Sequence, residues 1–266
     1  MNNIHKPYLS VGGKPVFRRG GRVGCVCLHG FAAAPPEVDW FAAHMHRHLN
    51  MTTYTVRAAG HGTHAEDLLH LNWWDWYMSA RDGYEILKQQ CDVVFAAGIS
   101  MGGLLALLLT AAADTDIPAT VVMGSPVRYK SDGVQYAPYM WPFRPMMDMP
   151  DTTNLPNIIR EEQARRGEPV IGRTHYKRWS TRATGEVYKL SGAVERELVN
   201  ITTPLMLIYS QYDDVAGLNN IDVIREGVRS EVVESLVLTD GKHIVPQDVG
   251  REQAFAAAQA FLQRWC

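Results

Sequence analysis

The sequence predicts an α/β protein with a mostly parallel central sheet, helices on both faces and a small inserted cap. Three observations carry that prediction. Short apolar runs alternate with amphipathic stretches of helical period from residue 23 to residue 126, and the rhythm resumes at residue 203. Between Val127 and Asn200 the rhythm breaks, and seven of the fourteen prolines fall from Pro126 to Pro169. One apolar run also ends in Gly98-Ile99-Ser100-Met101-Gly102, a serine framed by glycines where a strand gives way to a helix. The division expected is a core of residues 1–126 and 201–266, with residues 127–200 inserted.

Bulk properties narrow the function classes. A chain of 266 residues can bury a substantial core. Apolar residues make up 46% and charged residues 20%, the balance of an ordinary globular protein. A net charge of −2, with Lys/Arg only in isolated pairs such as Arg18-Arg19 and Arg165-Arg166, argues against nucleic acid as partner. Those pairs read as solvated faces. Cys25, Cys27, Cys91 and Cys266 are too few for a disulfide framework. Cys25 and Cys27 point to one face of a predicted strand, and read as two small buried hydrophobes, not metal ligands. The first residues lack a signal-peptide core, and the longest apolar run, around Leu104–Leu109, is short of a bilayer span. A soluble, cytoplasmic monomer or homodimer without integral membrane association is expected.

Taken in order, residues 8–19 alternate loosely about Gly12-Gly13 and predict a hairpin at a sheet edge. Residues 22–28 form the first clear strand, which runs into His29-Gly30-Phe31. A helix from about Glu37 places Val38, Phe41, Ala42 and Met45 on one face. Thr52 to Val56 is β-branched and short, a strand that opens into Gly60-His61-Gly62. Residues 73–90 are an amphipathic helix, 93–97 a buried strand, and a Leu/Ala-rich helix starts at Met101. Thr120 to Met123 is a further strand. After the insertion, strands at 203–209 and 232–238 and a helix over 252–264 complete the pattern. Ligands of such sheets gather at the carboxyl ends of the strands, where Ser100 and the loops at His29 and His61 all fall.

The glycine spacing has a physical reason. A one-residue turn crowds the positions two before and two after the serine, where Gly98 and Gly102 have no Cβ to clash. The Ser100 hydroxyl is lifted clear, and the Met101 N–H lies at a helix N-terminus, where a forming oxyanion is stabilised. His243 follows the final strand, and Asp213, Asp214 and Asp240 are the acids at the ends of late strands.

Leu28-His-Gly-Phe31, Gly60-His-Gly-Thr-His-Ala-Glu-Asp67, Trp73-Trp-Asp-Trp-Tyr77 and Gly98-Ile-Ser-Met-Gly-Gly103 together resemble the α/β-hydrolase superfamily, in particular bacterial carboxylesterases and monoacylglycerol lipases. The likeness is close over residues 23–126, follows in outline over 203–262, and is loose between. It implies a serine esterase that needs no metal or organic cofactor. The order Ser100, acid, His243 is the order this fold uses. The family's spacing favours Asp213, three residues after Ser210 and two before Val215. The resemblance also implies an oxyanion hole from the backbone N–H groups of Phe31 and Met101, with His29 orienting the Phe31 loop and His61 as a structural hydrogen-bonder. A serine at the elbow disfavours relatives with an aspartate nucleophile, and Met101 disfavours peptidase relatives with tryptophan there.

The insertion crowds Tyr136, Tyr139, Met140, Trp141, Phe143, Met146, Met147 and Met149 among prolines. Flexible Met and flat aromatic side chains suit an acyl chain, so Met140, Trp141, Phe143 and Met146 are the candidate substrate contacts. The expected substrate is a small ester with an apolar acyl chain, from short- to medium-chain esters to monoacylglycerols. A thioesterase with the same triad, or a non-catalytic binder on this fold, is the alternative.

Overall fold

The computed structural model describes residues 8–130, 132–148 and 154–266. Its strands are β1 (Val16–Arg18), β2 (Val23–Leu28), β3 (Thr52–Val56), β4 (Val93–Ile99), β5 (Thr120–Met123), β6 (Met146–Asp148), β7 (Arg178–Ser180), β8 (Leu205–Ser210) and β9 (Val233–Leu238). Its α-helices are α1 (Pro36–Leu49), α2 (Trp73–Lys88), α3 (Met101–Ala111), α4 (Ala137–Met140), α5 (Leu155–Arg165), α6 (Thr181–Glu197), α7 (Asn219–Gly227) and α8 (Arg251–Leu262). Seven strands make the central sheet, in the order β1-β3-β2-β4-β5-β8-β9. Every pairing is parallel except β1 on β3.

The near-continuous apolar runs of β2, β4, β5 and β8 are central strands buried on both faces. Successive side chains alternate between two cores. Val26, Leu28, Val94 and Ala96 point toward α2, α3 and α6. Cys25, Cys27, Phe95, Ala97 and Ile99 point toward α1 and α8, where Phe41 meets Phe255 edge-on at 5.6 Å. The face predicted for α1 is the buried one. Helix α3 has its five leucines buried, each worth about 1.5–3 kcal/mol over exposure. Helix α2 starts at a reciprocal cap: Asn72 Oδ1 accepts from Trp74 N–H at 2.9 Å, and Asp75 Oδ2 accepts from Asn72 N–H at 2.8 Å. Among the described residues, no helix is long and apolar enough to cross a membrane.

One expectation is corrected. Residues 8–19 do not form a hairpin; β1 pairs antiparallel with β3, Phe17 opposite Tyr54, so the segment is an edge strand borrowed by a distant partner. The proline-rich stretch holds regular elements among its described residues. Strands β6 and β7 form a two-stranded antiparallel ribbon with Met147 opposite Trp179. Helix α6, capped by Ser180 Oγ accepting from Ala183 N–H at 3.1 Å, buries Ala183, Val187, Leu190 and Val194 in the same core as α2 and α3. Its period was masked by interspersed Gly185 and Gly192.

Candidate active site

Strand β4 ends at Ile99 and α3 begins at Met101, so Ser100 alone makes the turn, at φ 54° and ψ −120°. Only tight packing holds a non-glycine residue there. A Cβ on Gly98 would lie 2.2 Å from Gly102 O, and one on Gly102 would lie 2.1 Å from Leu28 O. Both glycines are thus required by close backbone approach. The Ser100 N–H is tied to Met123 O of β5 at 2.9 Å.

His243 and Asp213 reach Ser100 from the ends of β9 and β8. His243 Nε2 lies 3.0 Å from Ser100 Oγ, and His243 Nδ1 lies 2.8 Å from Asp213 Oδ2. A carboxylate only accepts, so Nδ1 carries the proton and Nε2 is the acceptor facing the hydroxyl. The other oxygen of Asp213 accepts from Val215 N–H at 2.7 Å and Ala216 N–H at 2.8 Å. Asp213 is buried, whereas Asp214 and Asp240 are exposed. Of the three acids left open by position, Asp213 is the one brought to the imidazole. The His243 loop is held by Ser210 Oγ donating to Gly241 O at 2.6 Å and by Asp248 Oδ2 accepting from Lys242 N–H at 2.8 Å. Asp248 was not legible beforehand, since its partner is a backbone group.

The loop after β2 supplies the opposite wall. His29 is fully buried and accepts from Ala58 N–H through Nε2 at 3.2 Å, so its Nδ1 donates to Gly30 O at 2.8 Å. Burial pushes its pKa down. The Gly30 N–H donates to buried Glu37 Oε2 at 2.7 Å. Among the described residues, no acceptor takes the N–H of Phe31 or of Met101. The Phe31 ring packs edge-on against Trp179 at 5.8 Å and against His61 at 6.0 Å. His61, with Nδ1 3.0 Å from Ala59 O, is buried among rings; desolvation, then the neighbouring His29, lowers its pKa to about 3.

A cavity of about 770 Å³ opens beside His243. Phe31, Leu155, Ile158, Trp179, Val215 and Ile244 form its apolar wall, and Arg173, His175 and Lys242 stand among them. The four substrate contacts expected from sequence are not in that wall. Met140, Trp141 and Phe143 are 39%, 44% and 90% exposed, and Met146 lies on β6. Met149 lies outside the described residues. Other residues between 127 and 200 do reach the cavity, from α5, from β7 and from the loop at Arg173 and His175. Composition does not say which side of a short ribbon faces the cavity, and the Met and aromatic cluster gave no sign of Leu155, Ile158 or Trp179. Among the described residues, no three His, Cys, Asp or Glu side chains converge on a metal position. Cys25 and Cys27 are buried with Sγ atoms 3.8 Å apart.

Comparison with known proteins fits this geometry. Residues 25–258 match the model of the alpha/beta hydrolase family. The chain is 28% identical over 242 residues to a thermostable monoacylglycerol lipase of Bacillus sp. (strain H-257), covering 91% of this chain and 90% of the relative. It is 24% identical over 255 residues to a carboxylesterase of Bacillus subtilis (strain 168), covering 94% and 96%. A solved structure from work on LipS and LipT, two metagenome-derived lipolytic enzymes, superposes with a TM-score of 0.85 at 22% identity, covering 97% of this chain and 100% of the other.

Proposed function

The chain belongs to the alpha/beta hydrolase family, and on that premise we propose that it hydrolyses carboxylic esters through Ser100, His243 and Asp213. The observation that carries the reading is the continuous chain Ser100 Oγ, His243 Nε2, His243 Nδ1, Asp213 Oδ2, with links of 3.0 and 2.8 Å. His243 Nε2 takes the hydroxyl proton as Ser100 Oγ attacks the ester carbonyl, while Asp213 holds the tautomer and stabilises the imidazolium. The free N–H groups of Met101 and Phe31 bind the oxyanion. His243 then protonates the departing alcohol, and water repeats the sequence on the acyl-enzyme to release the acid. Nothing in these steps needs a cofactor.

Substrate class follows from the cavity and from the relatives. An apolar wall of Leu155, Ile158, Trp179 and Ile244 suits an acyl chain, and two relatives carry the names monoacylglycerol lipase and carboxylesterase. Short- to medium-chain esters and monoacylglycerols are therefore the proposed substrates, with residues 127–200 acting as a cap that contributes Leu155, Ile158 and Trp179. Each further buried CH₂ is worth about 0.8 kcal/mol. Across a series of chromogenic esters, kcat/KM should rise about tenfold per two carbons until the cavity is full. A profile that falls from acetate onward would remove the acyl-chain assignment. Labelling of wild type but not of Ser100→Ala by a fluorophosphonate tests the nucleophile itself.

A further inference from the structure

Glu37 is a carboxylate 3% exposed that the steps above do not use. It stands in the first turn of α1, where the helix N-terminus favours negative charge. Its Oε2 accepts the Gly30 N–H at 2.7 Å, and its Oε1 lies 3.6 Å from an Arg173 guanidinium nitrogen that comes from the inserted segment. The other polar group of the same residue, Gly30 O, is held by His29 Nδ1 at 2.8 Å. Both ends of one residue are therefore clamped by buried side chains, directly against the nucleophile: a Cβ on Gly30 would sit 3.4 Å from Ser100 Cβ. The Gly30 amide is committed to Glu37, and among the described residues the next amide, that of Phe31, has no acceptor.

We propose that Glu37 is a positioning residue for oxyanion binding: its carboxylate takes the Gly30 amide so that the Phe31 N–H stays aimed at the reacting carbonyl, and Arg173 supplies the counter-charge. Arg173 also lines the substrate cavity, so this half-buried ion pair joins that wall to the oxyanion loop, beside the Tyr176 N–H donating to Ala32 O at 2.7 Å. A buried carboxylate is costly unless it is both paired and hydrogen-bonded, and Glu37 has each. Small misplacements at such a donor are expensive in rate, because its hydrogen bond gains strength only as charge develops.

The inference rests on the hydrolase reading, and the test separates the two. In the full chain, Glu37→Ala should lower kcat for a short-chain ester by about 10- to 100-fold with little change in KM, and Glu37→Gln, which keeps an acceptor for Gly30, should recover most of that loss. A trifluoromethyl ketone, which adds to the Ser100 hydroxyl to give an oxyanion, should lose affinity in proportion to kcat/KM. The matching methyl ketone, which stays trigonal, should not. Should Glu37→Ala fail to fold, Arg173→Met serves instead, with the same contrast between the two ketones expected. Retention of kcat within about twofold, or equal losses for both ketones, overturns the inference. If Ser100→Ala leaves hydrolysis intact, the Ser100 mechanism falls and the inference with it; if Ser100 is essential and Glu37→Ala is silent, the inference alone falls.

Discussion

Ser100 occupies a backbone conformation that costs about 1–3 kcal/mol for a residue with a side chain, and the surrounding glycines and the Met123 carbonyl hold it there. The hydroxyl therefore does not have to find its geometry during turnover. Replacing Asp213 by Asn should leave the fold intact but favour the wrong imidazole tautomer, lowering kcat by about 10⁴-fold in steady-state assays with KM little changed. At this scale the sequence was informative wherever a residue follows a strand. Ser100, Asp213 and His243 each stand in a loop at a strand's carboxyl end, and their types leave few other roles. Glu37 and Asp248 were silent because an acid near a helix end reads as solvated, and their partners are backbone amides that no residue letter displays.

Helix α5 carries Leu155 and Ile158 into the cavity, and its far turn is anchored by charge. Glu162 is 5% exposed and takes Arg165 Nη2 at 2.6 Å, Arg166 Nε at 2.5 Å and, from α8, Arg251 Nη2 at 2.7 Å. Trp40 of α1 lies beneath the Arg166 and Arg251 guanidinium groups. Arg165 is exposed, as expected of a solvated face, whereas Arg166 is largely covered and reaches both Glu162 and Glu252 of α8. These partners, Arg165 foremost, lower the Glu162 pKa from 4.5 to about 2. The stabilisation is full above pH 4.5 and lost as pH falls toward 2. Glu162→Gln should lower stability at pH 7 by about 2 kcal/mol, with wild type and variant converging near pH 2 in denaturant titrations. Core strands and helices were legible because their apolar periods are long and uninterrupted. The three-residue strands β1, β6 and β7 offer too few side chains for a period to register, so their pairing was set by partners far away in sequence.

For the whole molecule, the acid side of the stability curve belongs to histidines rather than carboxylates at first. Burial lowers the pKa of His29 from 6.5 and that of His61 to about 3. Both bind a proton more readily when unfolded, so stability is complete above pH 6.5 and declines as pH falls below it, by at most about 1.4 kcal/mol per pH unit for each. Urea midpoints measured between pH 8 and pH 4 should trace that decline, and His61→Asn should make it shallower. Ser100 Oγ and His243 Nε2, in hydrogen-bond contact, are 143 positions apart along the polymer. On the proposed mechanism, a ribosome-bound chain that has emerged only as far as β8 holds the nucleophile yet has no base to waken it. On that mechanism hydrolysis should return in refolding only after β9 docks, so recovered turnover should not precede the recovery of tryptophan fluorescence.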